Sequence, residues 1–201
     1  MSHYFTNDNN LKSEKIVIED KFNNKEYKFI SDNGVFSKDE LDYGSKALLN
    51  VLIKEDLKGS LLDLGCGYGF IGIVLKKEFD KLAIDMVDVN LRALELSKHN
   101  CNINNVDNNI FESDGFKNTK KKYNVIVTNP PIRAGKETIY EFFEEGYKNL
   151  EENGLLYVVM RKNHGAKSSI DKLNDIFGNC CLLKKDKGFY IFKSCKHLTK
   201  K

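Results

Sequence analysis

The sequence predicts an α/β fold, in which a mostly parallel sheet carries helices on both of its faces. Between residues 61 and 177, short apolar runs alternate with longer amphipathic runs, which is the pattern of strands alternating with helices. A glycine-rich loop joins the first of these strands to its helix. Near the end of the chain, two β-rich runs are separated only by Lys187-Gly188, and this short turn predicts one antiparallel strand.

The length and composition fit one domain. The chain has 201 residues, of which 41% are hydrophobic, enough for one well-buried core. We expect residues 1–44 to form an N-terminal β-hairpin with a covering segment, and residues 45–201 to form the core. The hairpin strands are predicted at 15–20 and 26–30, joined by a polar turn. Because a two-stranded hairpin is marginal alone, it must pack on the main body.

The remaining elements follow from periodicity and turn residues. Core strands are predicted at 61–64, 82–87, 109–112, 123–128, 155–160, 180–184 and 189–194. A helix is predicted at 45–54, with Ser45 as its N-cap, and a second helix directly follows the glycine loop. Further helices are predicted at 91–101, at 137–150 and at 166–177, and Asn153-Gly154 is the predicted stop of the helix at 137–150.

Composition limits the function classes. The net charge is only +3, so no overall field compels nucleic-acid binding. Two lysine clusters are either a solvated surface or an RNA track: Lys117, Lys120, Lys121 and Lys122, and Lys184, Lys185 and Lys187. The five cysteines and four histidines lack the spacing of a metal site or a disulfide framework, so we expect no metal. No targeting or membrane-spanning segment is evident, which predicts a cytoplasmic protein that does not bind membranes.

The glycine-rich stretch LLDLGCGYGFIGIVL, residues 61–75, indicates a nucleotide-like ligand. Its alternate glycines permit positive φ and close approach of a ligand to the backbone amides. A dinucleotide pattern, G-x-G-x-x-G, is also satisfied. However, Asp63 lies just before the loop, where a carboxylate would repel a pyrophosphate and attract a cation. S-adenosyl-L-methionine carries an ammonium and a sulfonium but no phosphate, so the pattern favours it, and NAD is the weaker alternative.

Polar side chains at the carboxyl ends of successive strands are expected to meet in one crevice, where open α/β sheets bind ligands. Asp88 is placed to accept hydrogen bonds from the ribose hydroxyls. Asp114 is placed to accept from the adenine amine, and Asp114-Gly115 also suits an Asx turn. Asn129 ends the next strand of the sequence.

Asn129-Pro130-Pro131 carries the predicted reaction. Both prolines lack an N–H and hold the chain extended, so a main-chain carbonyl is presented without neighbouring donors. The side-chain oxygen of Asn129 supplies a second acceptor. Two acceptors on a conjugated amine help it to pyramidalise and stabilise the positive charge that it gains in attacking a sulfonium methyl. The sequence therefore predicts methyl transfer to an amine without a strong base.

Residues around this motif are candidates for contacts with the substrate. Arg133 and Lys136 either hold a phosphate near the reacting base or are a solvated helix start, and Gly135 leaves room for a backbone. Phe36 is either ordinary core or part of the site.

These residues together resemble class I S-adenosyl-L-methionine-dependent methyltransferases, in particular the small-domain family that contains ribosomal small-subunit RNA guanine-N2 methyltransferases. The resemblance lies in Gly34-Val35-Phe36-Ser37, Leu41-Asp42, Gly44-Ser45, residues 63–69, Asp88, Asp114 and residues 129–136. It implies a Rossmann-like seven-stranded sheet with a reversed final hairpin, and methylation of an exocyclic amine at Asn129. The implied cofactor site consists of Asp63, Gly65, Cys66, Gly67, Gly69, Asp88, Val89, Asp114, Gly115 and Asn129.

The resemblance also indicates the substrate. Relatives that act on adenine or glutamine usually place an aromatic residue where this chain has Ile132, which favours guanine, and Phe36 is then a candidate to stack on a flipped base. We expect Phe36, Ile132, Arg133 and Lys136 to bind a ribosomal RNA or ribosomal-particle substrate. The alternatives are a protein glutamine-N5 methyltransferase, which needs the same two acceptors, and a non-catalytic RNA-binding or assembly module that keeps the pocket.

Overall fold

The structure is a computed structural model that describes residues 12–131 and 135–197. Its strands are β1 (Ile16–Phe22), β2 (Lys25–Ser31), β3 (Ser60–Leu64), β4 (Ala83–Asp88), β5 (Asn109–Glu112), β6 (Tyr123–Thr128), β7 (Leu150–Arg161), β8 (Cys181–Asp186) and β9 (Phe189–Cys195). Its α-helices are α1 (Tyr43–Leu52), α2 (Phe70–Glu78), α3 (Leu91–Ile103), α4 (Lys136–Asn149) and α5 (Ala166–Phe177). A short 3-10 turn, Lys162–His164, precedes α5.

The main sheet has seven strands in the order β5-β4-β3-β6-β7-β9-β8, and β1 and β2 form a separate antiparallel pair. The five neighbouring strands β5, β4, β3, β6 and β7 run parallel to one another. Strand β9 lies between β7 and β8 and is antiparallel to both. The predicted Rossmann-like sheet with a reversed strand and an N-terminal hairpin is confirmed. Because β3 to β7 are parallel, their carboxyl ends share one edge, which we call the carboxyl edge.

Both faces of the sheet are buried. Leu61 and Val125 belong to the core that lies under α1, α2 and α3, whereas Leu62 and Ile126 belong to the core under α4 and α5. Successive side chains of a strand point to opposite faces, so each central strand supplies both cores, which explains its continuous apolar run. Among the described helices, none is long and apolar enough to cross a membrane.

Asn100 of α3 and Asn104, the C-cap of that helix, hold the hairpin against the main body. Asn100 accepts from the N–H of Ile30 at 2.7 Å and donates to its carbonyl at 2.9 Å, while Asn104 pairs in the same way with Lys28 at 3.2 and 2.7 Å. One helical turn on α3 thus matches two residues of β2. Asn100 also donates to the Tyr68 carbonyl at 2.9 Å, so the hairpin is tied to the glycine-rich loop.

The predicted N-cap of α1 and the predicted stop of α4 are wrong. Ser45 is not the N-cap of α1, because the Asp42 carboxylate accepts from the N–H of Ser45 and the helix begins at Tyr43. Asn153-Gly154 does not stop α4, which ends at Asn149. The fully buried Leu150 instead starts β7 opposite Tyr123. Asn153, at a φ of 61°, lies in an irregular part of that strand.

Candidate active site

A cavity of about 390 Å³ opens at the carboxyl edge. The loop after β3, the ends of β4 and β6, the loop after β5 and the start of α1 contribute to its walls. Among the site residues expected from the sequence, those lining the cavity are Phe36, Gly65, Cys66, Gly67, Asp88, Val89, Asp114, Gly115, Asn129, Pro130 and Pro131. The topology therefore brings together residues that are up to 95 positions apart in the chain, from Phe36 to Pro131.

Some glycines of the loop keep the cavity open, and another allows close packing. Gly65 and Gly67 have φ values of 74° and 56°, and a Cβ on either would point into open space. Side chains there would be strained and would fill the cavity. Gly69, with a φ of 98°, is the N-cap of α2, and a Cβ on it would lie 3.0 Å from the Met86 side chain. Gly69 therefore serves the packing of the loop and is not on the cavity wall.

Asp63 lies beneath the glycine-rich loop and is 1% exposed. Its Oδ2 accepts from the N–H of Gly72 at 2.9 Å, and its Oδ1 is buried without a hydrogen-bond partner among the described residues. Burial raises the pKa of Asp63 to about 7. The hydrogen bond from Gly72 opposes this rise, and the nearby negative charge of Asp88 adds to it. A Cβ on Gly72 would lie 2.6 Å from the sulfur of Met86, so this glycine is needed for close packing.

The Asp88 carboxylate closes the loop from the other side. Its Oδ2 accepts from the N–H of Gly67 at 2.8 Å, and its Oδ1 accepts from the N–H of Asn90 at 2.9 Å. Burial raises the pKa of Asp88, although these bonds to backbone N–H groups oppose it. Each carboxylate oxygen has a second lone pair, so Asp88 can still accept from a ligand hydroxyl in the cavity.

The Asn129 amide is held in one orientation. Its Nδ2 donates to the Asp42 carboxylate at 2.9 Å and to the Ser45 hydroxyl at 3.0 Å. A carboxylate is acceptor-only, so it selects the NH₂ end of the amide. Since both donors of Asn129 are engaged, Oδ1 is the part of the amide that remains to accept a hydrogen bond from another group.

The other expected site residues are more dispersed. Asp114 is exposed and forms an ion pair with Lys117 at 2.5 Å, in addition to lining the cavity. Lys136 is exposed at the first position of α4, with its ammonium 5.1 Å from the centre of the Tyr140 ring. Phe36 is 39% exposed. Ile132 and Arg133 lie outside the described residues.

Several cavity residues were missed by the sequence analysis. Asp42 and Ser45 hold Asn129, and Thr138 and Phe142 of α4 add to the wall. Phe142 lies against Gly115, where a Cβ would approach its ring at 3.3 Å. The blocks that contain Asp42 and Ser45 were part of the family resemblance, but a single sequence does not show that they meet a residue 87 positions away.

The described residues contain no group of three or more His, Cys, Asp or Glu side chains that could hold a metal ion. Cys66 lies on the cavity wall, and burial raises the pKa of its thiol well above the ordinary range. A thiol in this state is a poor nucleophile and a poor metal ligand. The site therefore offers oxygen acceptors and backbone amides as its polar groups.

Comparison with known sequences identifies close relatives. The family model described as "Methyltransferase small domain" matches residues 26–193. Protein YbxB of Bacillus subtilis (strain 168), which carries no assigned activity, is 41% identical over 197 residues, covering 96% of this chain and 98% of YbxB. Ribosomal RNA small subunit methyltransferase C of Aliivibrio fischeri (strain ATCC 700601 / ES114) is 39% identical over 167 residues, covering 81% of this chain and 48% of that protein. The chain thus spans about half the length of these ribosomal RNA methyltransferases.

Solved structures show the same fold. The T. thermophilus 16S rRNA N2 G1207 methyltransferase, solved with AdoMet and guanosine, has a TM-score of 0.84 at 23% identity, covering 93% of this chain and 52% of that one. Ribosomal protein L11 methylase from Lactobacillus delbrueckii subsp. bulgaricus has a TM-score of 0.65 at 17% identity, covering 81% and 89%. One of these enzymes is named for an RNA substrate and the other for a protein, so the fold alone does not identify the substrate.

The buried Asp63 carboxylate leads to a testable pH dependence. Its pKa of about 7 in the folded state exceeds the unfolded value of about 3.9, so its contribution to stability is greatest at low pH and is lost as pH rises through 7. Asp63→Asn should therefore raise the melting temperature of the ligand-free protein at pH 8.5 by about 2–4 °C. The gain should shrink at pH 5.5, as measured by circular dichroism.

The matched control is Asp80→Asn, at an exposed carboxylate. It should change the melting temperature little at either pH. An Asp63→Asn protein that melts below the unmodified protein at pH 8.5 would contradict the raised pKa.

Proposed function

The chain belongs to the methyltransferase small-domain family and uses S-adenosyl-L-methionine, and on that premise we propose that it methylates guanine N2 of ribosomal RNA. The single observation that supports this most strongly is the orientation of Asn129 on the cavity wall. The proposed place of action is the cytoplasm, and the proposed substrate is ribosomal RNA or a ribosomal particle.

The cavity fits the cofactor in two respects. Gly65 and Gly67 line a space that side chains at these positions would fill. Beneath this loop, Oδ1 of Asp63 has no hydrogen-bond partner among the described residues, and a cation in the cavity would favour the charged form of this carboxyl, whose pKa is about 7. When bound, S-adenosyl-L-methionine supplies an electrophilic methyl group on a positively charged sulfur. We assign its ribose to Asp88 and its adenine to Asp114-Gly115, with Val89 and Phe142 beside them.

Asn129-Pro130-Pro131 is the proposed catalytic segment. An exocyclic amine that donates to Asn129 Oδ1 and to a main-chain carbonyl of this segment is directed by two fixed acceptors. These acceptors help the amine nitrogen to leave the plane of its ring, and they stabilise the positive charge that it gains. By analogy with oxyanion-hole donors, each such group is worth about 3 kcal/mol. Since Asn129 is neutral, its part in the reaction is to orient and stabilise, and no side chain has to remove a proton first.

The support for guanine N2 is indirect. The curated relatives that match 81% of this chain are named for the small ribosomal subunit, and one solved relative is named for guanine N2. A protein glutamine amide would use the same two acceptors, and the L11 methylase shows that this fold also serves protein substrates. The substrate therefore has to be identified by its product.

The first test combines product analysis with Asn129→Ala. Small ribosomal subunits and their naked RNA, both lacking the N2-methyl group on guanine, are incubated with the protein and labelled cofactor. The nucleosides of the RNA are then analysed by mass spectrometry. We expect N2-methylguanosine with the unmodified protein. Asn129→Ala should lower kcat about 100-fold, because it removes one acceptor, and should change the cofactor Kd less than threefold.

Asn163→Ala is the matched control, since Asn163 is an exposed asparagine at the same edge. It should behave as the unmodified protein. Methylated glutamine in a protein substrate with unmodified RNA would support the glutamine alternative. Tight cofactor binding without transfer to RNA or protein would support the non-catalytic module.

The second test concerns Asp42, proposed to position Asn129. Asp42→Ser keeps a good N-cap for α1 but cannot reach Asn129, whereas Asp42→Asn keeps an oxygen acceptor at the same distance. We expect Asp42→Ser to lower kcat about tenfold, which corresponds to about 1.4 kcal/mol, with an unchanged cofactor Kd. Asp42→Asn should recover most of that loss.

Asp39→Ser, at an exposed carboxylate in the same segment, serves as the control. Equal kcat values for the Asp42→Ser protein and for this control would show that Asn129 keeps its orientation without the carboxylate.

A further inference from the structure

A group of three exposed cations lies at the carboxyl edge beside Asn129. Arg161 ends β7, Lys162 follows it, and Lys187 lies in the turn between β8 and β9. The backbone joins them, because Arg161 pairs with Phe189 across the sheet and the N–H of Lys162 donates to the Gly188 carbonyl at 2.8 Å. We call these three side chains the basic rim.

Arg161 and Lys187 of the basic rim lie over aromatic rings, and no rim residue forms an ion pair within 4.0 Å in the described part of the chain. The Arg161 guanidinium lies 4.8 Å from the centre of the Phe189 ring, and the Lys187 ammonium lies 4.9 Å from that of Tyr43. The neighbouring Asp186 is hydrogen-bonded to Lys184 at 2.8 Å and to the Tyr43 hydroxyl at 2.9 Å, and the Lys187 charge makes the smallest of the contributions that lower its pKa. Exposed cations in this state suit phosphate groups.

Rigid contacts connect the basic rim to the proposed catalytic amide. Tyr43, under the Lys187 ammonium, directly follows Asp42, whose carboxylate holds Asn129. Gly44 packs so closely on the β8–β9 turn that a Cβ would lie 2.6 Å from the Phe189 ring. The distance between the basic rim and the amide is therefore set by packed side chains and not by a mobile loop.

Most of the other lysine cluster, which contains Lys120, Lys121 and Lys122, lies at the opposite edge of the sheet. Lys120 and Lys122 precede the first residue of β6, so they lie at the amino edge, opposite the cavity. Lys121, between them, forms an ion pair with the nearly buried Asp85 at 3.0 Å. Of that cluster, Lys117 reaches the cavity wall, where it is paired with Asp114.

We propose that Arg161, Lys162 and Lys187 bind phosphates of the RNA strand next to the methylated nucleotide and thereby orient its base towards Asn129. This rests on the proposed function, because it takes RNA as the substrate. The basic rim supplies affinity without reading sequence, as contacts to phosphates do. Phe36 and the residues of the cavity are left to select the base.

The test compares two triple variants that each remove three positive charges. The rim variant is Arg161→Gln, Lys162→Gln and Lys187→Gln, in which glutamine keeps part of the aliphatic packing. The control is Lys54→Gln, Lys120→Gln and Lys122→Gln, at exposed lysines of the amino edge. The probe is unmodified small-subunit ribosomal RNA made by transcription, and Kd is measured over a series of salt concentrations.

The rim variant should raise the RNA Kd about tenfold at 0.1 M salt and reduce the slope of log K against log salt by about 2, as expected for three lost contacts to a single strand. Its cofactor Kd and its melting temperature should stay those of the unmodified protein. The control variant should change the RNA Kd less than twofold.

Three results would overturn the proposed role of the basic rim. The first is an equal loss of RNA affinity in both variants, which would indicate an effect of net charge alone. The others are an unchanged salt slope in the rim variant and an absence of RNA binding by the unmodified protein. The proposal would also be overturned if the rim variant lost methyl transfer to a protein substrate but kept its RNA binding. The proposed function fails separately, if the unmodified protein binds this RNA through the basic rim but transfers no methyl group.

Discussion

The orientation of the proposed catalytic amide depends on one hydrogen-bonded contact, in which the Asp42 carboxylate fixes Asn129. One oxygen, Oδ2 of Asp42, accepts from the Ser45 N–H at 2.6 Å and from Asn129 Nδ2 at 2.9 Å. The same atom therefore caps the N-terminus of α1 and determines that Oδ1 of Asn129 is the end of the amide that faces another group. A free amide could present either its donor or its acceptor end, and only the acceptor end helps an amine to react.

The cofactor side of the cavity is built from groups whose burial is unfavourable. Asp63 is buried and Asp88 is half-buried, and removal from water raises the pKa of each. Charge without a full set of partners is costly in the ligand-free protein, and a cation in the cavity offsets that cost. The loop also uses glycine at Gly65 and Gly67, where positive φ and the absence of a Cβ keep the cavity open. The loop is thus organised for a ligand and not for maximal stability.

Local sequence patterns predicted most of the fold. β5 (109–112), β6 (123–128) and α5 (166–177) were predicted with the bounds that the structure shows, because turn residues or a change of periodicity mark both ends. The start of β7 was missed, since Leu150 reads as the end of an apolar helical face and only its pairing with Tyr123 makes it a strand. The mostly parallel sheet with its antiparallel strand followed from the alternation of strands and helices and from the short last turn.

The site was predicted in part, and the limit has a physical cause. Strand ends could be assigned to one crevice, so Asp88, Asp114 and Asn129 were expected there and line the cavity. The Asp42–Asn129 contact depends on how α1 packs over the sheet, and no periodicity reports that. Gly69 was expected at the ligand because the motif names it, although its neighbours place it in the packing of α2.

The most direct measurement of the central claim is a crystal structure of this protein with S-adenosyl-L-homocysteine and guanosine. We predict that guanine N2 donates to Asn129 Oδ1 and to a main-chain carbonyl of Asn129-Pro130-Pro131, at about 2.9 Å each, and that Asn129 Nδ2 still donates to Asp42. An Asn129 amide turned with Nδ2 towards the nucleoside, or a guanine amine bound away from this segment, would contradict this prediction.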